Sequence, residues 1–406
     1  MKVNKIYYKI FINNILFLLL FITYIKNLFL INGIEKKIKH YIKFMKKKNI
    51  IKYYYEKDLP KIIKYVQLLR NASFINNIYH NYIDKPKISF VASVYNKEKY
   101  LNSLISSIQN QNMKEYELIF VDDCSNDESV NIIKKYMQKD KRIKLIKNKR
   151  NRGSLYTRYK GAQQSKGEFL IFVDSDDIVL KDGILRAYKY IKKNNLDAVQ
   201  FNSVFEKKNS NIYISRRHYK YDNIIYQPIL SYIFYYNKNY ERGTESNTAL
   251  WDKLIKREVV RKVFRFIGKK FINKKIIIEN DVIILFSLFK NAKSFKYIDE
   301  LGYYYFFTNK DSITKTRDNP LKANLIIYSI FSNIMFLYEK TGNSYFEKYF
   351  CLYKLEQGFN RYKKCFNYIN KGNSLIKYVI NRLLESKYIS LRNKKKIKNI
   401  AKELIN

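Results

Sequence analysis

The chain of 406 residues predicts an α/β protein, built on a mixed, mostly parallel sheet flanked by helices, with a hydrophobic helix at its amino end and a helical extension at its carboxyl end. Three observations predict it. Short runs rich in β-branched and aromatic residues alternate with helical stretches from about residue 87 to 194, the pattern of strand and crossover helix in a parallel sheet. Segment 10–31 is mostly apolar, and the pattern from Pro320 onward is helical again. The most telling strand is Phe169-Leu-Ile-Phe-Val173, an apolar run that stops abruptly on Asp174, Asp176 and Asp177.

Composition supports a folded protein and weakens one class of function. With 47% hydrophobic residues the chain can bury a sizeable core, and its length allows two or three domains. A formal charge of +44 would ordinarily suggest nucleic acid or an anionic surface as partner. Gly (11), Pro (4) and Trp (1) are scarce, however, and Lys, Asn, Ile, Tyr and Phe are abundant throughout, as an A/T-rich coding sequence would give. The Lys excess is therefore partly background, and without a Cys-His zinc spacing or an aromatic RNA-binding signature the reading is no nucleic acid. Cys124, Cys351 and Cys365 are too few and scattered for a disulfide framework, and three His without HxxxH offer no zinc site. Cys124 has no His nearby in sequence and reads as a loop or buried thiol.

Residues 1–32 are expected to form a hydrophobic anchor. Its uninterrupted core, 15–25, is shorter than the ~20 apolar residues of a standard span. A signal anchor, a cleaved signal peptide and an interfacial helix are the alternatives, and the lack of a small-residue cleavage site favours an uncleaved single-pass anchor, hence a membrane-associated protein. Lysines stand on both sides of the segment: Lys2, Lys5 and Lys9 before it, Lys36, Lys37, Lys39 and Lys43 after it. The side of the membrane is left open. Residues 33–84 read as a Lys- and Tyr-rich helical stem, with Ile62, Ile63, Val66 and Leu69 at helical spacing.

After the stem, residues 85–318 are expected to form the main domain, divided into halves at 85–205 and 206–318, and residues 319–406 a helical region. The strands expected in the first half are 87–93, 116–121, 143–147 and 169–173, with helices over 100–109, 128–137, 154–165 and about 182–194. In such sheets ligands collect at the carboxyl ends of the strands, where Ser93, Asp123 and the 174–177 acids stand. Their chemistry is coherent. Asp122 or Asp123 can accept from a ring N–H of a base, and Asp174 from ribose hydroxyls. Asp176 or Asp177 can bind a cation that bridges a diphosphate, since carboxylate oxygens are hard ligands suited to Mg2+ or Mn2+. Arg158, in a helix opened by Asn151-Arg-Gly153, can bring positive charge to the same phosphates. The competing reading of Asp177 is a helix N-cap, though one cap needs one acid and here there are three.

These residues, taken in order, resemble family 2 glycosyltransferases with the GT-A (Rossmann-like) fold: Ser93-Val-Tyr-Asn96, Val121-Asp-Asp-Cys-Ser-Asn-Asp127, Asn151-Arg-Gly153, Arg158 and Val173-Asp-Ser-Asp-Asp177. The resemblance covers about 85–205, with a weaker continuation to about 315. It implies a nucleotide-sugar donor, a UDP-sugar favoured, bound by Ser93, Tyr95, Asp122, Asp123, Arg158, Asp174, Asp176 and Asp177, with Asp176 as ligand of a Mn2+ or Mg2+ ion on the diphosphate. It also implies inverting transfer of a hexosyl or N-acetylhexosaminyl group to a glycan, lipid-linked or protein acceptor. The family usually has Pro where Val94 stands and Gly where Cys124 stands.

The general base comes from further along. Glu279-Asn-Asp281 resembles the family's Glu-Asp pair, with Asn280 where its Glu usually stands; Asp281 is the expected base and Glu279 its substitute. A carboxylate suits the task because it is ionised at neutral pH and need only take a proton as the C–O bond forms. The competing reading of Asp281 is a cap for the helix expected over 282–290. Segment 247–255 resembles the stretch before the acceptor site and makes Trp251 and Asp252 acceptor-side candidates, although a core role for Trp251 is favoured. Segment 299–315 resembles a closing strand with a basic loop that could cover the diphosphate. The second hypothesis is a transferase-fold protein without catalysis, serving as a carbohydrate-binding or scaffold component.

Overall fold

The computed structural model describes residues 86–206, 212–215, 223–227, 249–305, 320–341, 374–387 and 391–405, together with 351, 354–356, 358–360, 365 and 389. The expected anchor and stem lie outside these residues, as do Asn247 and the basic loop after Tyr305. The chain divides into two units, Met1–Asp84 and Lys85–Asn406, and the second is described below. Among the described residues no helix is long and apolar enough to cross a membrane.

The series begins with strand β1 (Ile88–Val94), helix α1 (Glu98–Gln109), β2 (Tyr116–Asp122), α2 (Ser129–Lys139), β3 (Ile143–Lys147), α3 (Ser154–Gln164) and β4 (Phe169–Asp174). The expected strands recur within a residue at each end, because apolar β-branched runs buried on both faces suit the centre of a parallel sheet. After them come β5 (Ile178–Val179), α4 (Gly183–Lys193), β6 (Ala198–Glu206), β7 (Ile212–Ser215), β8 (Ile225–Tyr226), β9 (Lys253–Lys256), α5 (Arg257–Ile267), α6 (Lys269–Ile272), α7 (Asn280–Asn291) and β10 (Ser294–Tyr305). The carboxyl-terminal helices described are α8 (Pro320–Lys340), α9 (Ser374–Glu385) and α10 (Leu391–Ile405).

The main path of the sheet runs β3-β2-β1-β4-β9-β6-β10-β5. The first four strands are parallel neighbours, and β9 is antiparallel to both β4 and β6, so β6 and its parallel neighbour β10 point the same way as β4. Register then decides what meets at the strand ends. Ser93 pairs with Val121 on one side and Asp174 on the other, and Val94 pairs with Asp122, so one edge of the sheet carries all three polar ends.

Helices cover both faces. In α1, Leu101, Leu104, Ile105 and Ile108 repeat at helical spacing and are fully buried, each worth roughly 1.5–3 kcal/mol of burial. Helix α3 lies so close to β1 that a Cβ at Gly161 would fall 2.3 Å from Val91 Cγ1; only a glycine fits this crossing. On the same face as α3, and opposite α1, the helices α5, α7 and α8 build the larger apolar cluster, in which Phe336 of α8 contacts Phe271 at 4.6 Å between ring centroids and also meets Phe266 and Phe286. Of the core candidates named for α8, Ile326, Ile330, Met335 and Leu337 are buried, and Leu325 is half-buried. The carboxyl-terminal helices are thus part of the core that carries α7.

Candidate active site

Asp123 organises the first wall of the site. The residue is buried, its N–H donates to Val94 O, and its carboxylate accepts from Asn148 Nδ2 at 2.9 Å and from the backbone N–H groups of Arg152 and Gly153 at 2.8 Å each. These bonds curl the Asn151-Arg-Gly153 loop over the end of β2. Gly153 has φ +85°, and a Cβ there would lie 2.6 Å from Ile276 O, so the loop can also press against the segment before α7. Arg152 ties the same two segments together through Asn273 Oδ1 at 2.9 Å. Asp122 turns inward and accepts from Ser125 N–H. Ser93 Oγ accepts from Thr157 Oγ1 at 2.9 Å, and Tyr95, beyond it, is exposed.

The acids after β4 divide their work. Asp177 is buried and accepts from the Tyr303 hydroxyl at 2.9 Å, while Asp174 N–H donates to that same hydroxyl at 2.9 Å. Tyr303, reaching over from β10, therefore pins the turn. Burial, reinforced by Asp177 and Asp174, pushes its phenol well above the usual range. Asp177 is not the cap of α4: that helix starts at Gly183 behind Asp182, which itself makes no capping bond. Asp176 is the acid of this turn that holds a cationic side chain from α1's entry, accepting from Lys97 Nζ at 2.7 Å.

Arg158 joins the donor end of the sheet to α7. Its guanidinium is buried, and its Nη2 donates to Asp174 Oδ1 at 2.8 Å, while Nη1 donates to both Asn280 Oδ1 and Asp281 Oδ1. Burial works against the guanidinium's charge, but Asp281 and Asp174 outweigh it and hold the group protonated. Asp174 responds in the opposite sense. Burial pushes its carboxyl up to about 6 against the pull of Arg158, with Asp281 and Asp176 adding to the rise. Asn280 also donates to Ser154 Oγ at 2.7 Å, closing the frame onto the start of α3.

The remaining candidates fall into place around this frame. Asp281 sits in the first turn of α7 but makes no capping bond; the N-cap position belongs to Glu279, at φ +53°. The Glu279 carboxylate lies 3.8 Å from Lys354 Nζ. Both acceptor-side candidates are interior. Trp251 stacks on Tyr303 at 4.6 Å and on Tyr305 at 5.5 Å, and Asp252 is fully buried, accepting from Gln200 Nε2 and Lys253 Nζ at 2.8 Å each. Both stand in the turn that enters β9 and pack against β6 and β10, so an acceptor reaching them would have to open the core. Lys97, Asn148 and Tyr303 escape sequence reasoning, as does the bond that Asn280 makes to Arg158. Each works through a partner more than 20 residues away, which no local pattern announces.

For a divalent ion the donor set is a single available type, the carboxylate. No group of three His, Cys, Asp or Glu arranged for a metal occurs among the described residues. Asp176 fits the way Mg2+ is commonly held beside phosphates, by one or two carboxylates with the rest of the shell from phosphate and water. Its existing contact with an ammonium shows that it can accept a cation.

A family model described as Glycosyl transferase family 2 matches residues 89–264. An uncharacterized glycosyltransferase of Methanocaldococcus jannaschii is 31% identical over 233 residues, 57% of this chain and 74% of the relative. A cholesterol galactosyltransferase of Borreliella burgdorferi is 28% identical over 58% of this chain and 62% of its own. The poly(ribitol-phosphate) beta-N-acetylglucosaminyltransferase TarP of Staphylococcus aureus is 39% identical over 117 residues, 28% of this chain and 35% of that protein. Among solved structures, residues 1–349 of S. aureus TarS in complex with UDP-GlcNAc share the fold with a TM-score of 0.54 and 18% identity, covering 79% of this chain and 88% of that one.

Proposed function

Because the chain belongs to glycosyl transferase family 2, we propose that it is an inverting hexosyl- or N-acetylhexosaminyltransferase, using a nucleotide sugar and an acceptor hydroxyl. A UDP-sugar is the favoured donor, supported by the UDP-GlcNAc bound to the TarS neighbour. The observation that carries the reading is Arg158, whose two terminal nitrogens hold Asp174 at the donor strand end and Asp281 at the start of α7. One fixed cation thereby keeps the proposed ribose ligand and the proposed base in a single frame.

In this reading Asp174 accepts from ribose hydroxyls and Asp123 holds the loop beside the base. The acceptor hydroxyl attacks the anomeric carbon, the bond from that carbon to the diphosphate breaks, and its electron pair leaves with the nucleotide. Asp281 takes the hydroxyl proton as the new C–O bond forms. Asp176 would hold a Mn2+ or Mg2+ ion, which when bound supplies positive charge to the departing diphosphate. Lys97, already beside Asp176, is placed to add its own. The same proposal keeps residues 10–31 as a membrane tether and leaves a glycan, a lipid-linked sugar or a protein as acceptor.

The test is a donor-hydrolysis and transfer assay of the purified full chain against a panel of UDP-sugars with Mn2+. Asp281→Asn is expected to bind UDP as the wild type does while losing on the order of a hundredfold or more in turnover, the range for removal of a general base. Transfer at the wild-type rate by that variant would remove Asp281 from the role. A chain that binds UDP but turns over no donor would be the scaffold protein of the second hypothesis.

A further inference from the structure

Three consecutive residues in front of Asn280 and Asp281 are held, one each, by the carboxyl-terminal helices. Ser329 Oγ of α8 accepts from Ile277 N–H at 3.1 Å while donating to Leu325 O at 2.7 Å. Asn333 Nδ2, one turn further along the same face of α8, donates to Ile278 O at 3.2 Å. Lys354 Nζ lies 3.8 Å from Glu279 Oε2, with the two side chains only 6% and 11% exposed. The opposite side of the segment is closed by Gly153, against Ile276 O.

Glu279 is an odd residue to find in this place for stability alone. Its backbone is left-handed at φ +53°, a conformation that costs a non-glycine residue about 1 kcal/mol or more. Its Oε1 is buried and meets no hydrogen-bond donor among the described residues. Buried ion pairs are weak stabilisers, and one with an unmatched oxygen is weaker still. The arrangement makes sense as a positional device, because the left-handed turn at Glu279 sets the direction in which α7 starts and so where Asn280 and Asp281 meet Arg158.

We propose that the carboxyl-terminal helical region is a working part of the transferase: Lys354, Ser329 and Asn333 position the 276–279 strap, and through it Asp281. Glu279 is then a positioning residue, held by Lys354, rather than a substitute base. The proposal rests on Asp281 being the base. Its effect is on geometry, where a misplacement of about 1 Å in a reacting group can cost on the order of a hundredfold in rate.

The experiment uses the full chain and measures transfer kinetics, UDP affinity by titration calorimetry and thermal midpoint for Lys354→Met, Lys354→Arg, Glu279→Gln and Asn333→Ala. The expected result for Lys354→Met is a fall in kcat of about tenfold or more, with donor KM and UDP affinity within about twofold of wild type. Lys354→Arg should recover most of that loss, and the Lys354→Met, Glu279→Gln double variant should be no slower than the worse single. A wild-type kcat in Lys354→Met, an equal loss of UDP affinity, or no recovery with arginine would overturn the proposal. Should Lys354→Met fail to fold, Asn333→Ala removes one bond without burying a lone charge, and the same kcat and KM split decides. Failure of the base assignment is separable: it shows as an active Asp281→Asn, whereas an inactive Asp281→Asn beside a fully active Lys354→Met defeats only the role of the helices.

Discussion

Lys97, in the turn that opens α1, donates to Asp176 at 2.7 Å, and both side chains are more than four-fifths buried. The ammonium thus sits on the carboxylate proposed to hold the donor's divalent ion. Two cations compete for one acid, and removing the resident one should favour the other. Lys97→Met is expected to bind Mn2+ several-fold more tightly than wild type in the absence of nucleotide, read by the loss of the free-ion signal in electron paramagnetic resonance. Unchanged Mn2+ affinity would mean that the ion and Lys97 do not share Asp176.

Asp174 gives a pH dependence with a definite sign. Its folded-state pKa, raised to about 6 by burial with help from Asp281 and Asp176, lies above the ordinary carboxylate value of about 3.8. Between roughly pH 4 and 6 the folded chain therefore binds more protons at this position than the unfolded chain, and this group's contribution to stability falls as pH rises through that window. Asp174→Asn removes the contribution. The variant should gain stability relative to wild type on going from pH 4 to pH 7, measured by urea unfolding at each pH. Comparing variant with wild type isolates Asp174 from Glu117 and Asp140, whose depressed pKa values run the other way. A constant difference across the range would contradict the raised value.

The strand ends were readable from sequence because a buried parallel strand declares itself: Phe169 to Val173 are apolar on both faces, and the first polar residue after them must lie at the sheet edge. The same logic located Ser93, one strand away on β1, and Asp122, two strands away on β2. What sequence could not assign was which acid does what. Asp177 and Asp176 are neighbours of one type, yet Tyr303 takes the first and Lys97 the second, across 126 and 79 residues. Trp251 and Asp252, the acceptor-side candidates, are both buried. Their segment resembles one bordering an acceptor, but it is the turn that enters β9, where Trp251 stacks on Tyr303 and Tyr305 of β10 and Asp252 accepts from Gln200 of β6. The role of the carboxyl-terminal helices was invisible because Ser329 and Asn333 look like ordinary polar residues of an apolar helix until Ile277 and Ile278 arrive beside them.

Gly153 is a second point where geometry permits one residue type. Its φ of +85° disfavours any side chain, and a Cβ would stand 2.6 Å from Ile276 O, a backbone atom that cannot swing away. Gly153→Ala should destabilise the fold by about 1–3 kcal/mol from backbone strain, with the clash adding to it. Its N–H also donates to Asp123, so weakened UDP binding should accompany the lowered thermal midpoint. A variant with wild-type stability would show that the loop and the strap are not in contact.

Arg158 offers the sharpest separation of charge from shape. Three acceptors from two elements, Asp174, Asn280 and Asp281, share its two terminal nitrogens. A lysine presents one nitrogen on a flexible stem and cannot span them, so Arg158→Lys should lose most of what Arg158→Met loses. Arg158→Met leaves two carboxylates facing one another without their cation, a change that costs about 3–5 kcal/mol for a fully buried pair and less here, where Asp174 and Asp281 keep 31% and 27% of their side-chain exposure. Much of that cost comes from the stranded charges rather than from the lost bonds. Adding Asp174→Asn removes one of them, and the double variant should therefore be more stable than Arg158→Met alone, although it lacks more native contacts. Additive destabilisation in this cycle, measured by chemical unfolding, would show that Arg158 and Asp174 act independently and that the frame joining β4 to α7 is not held by charge.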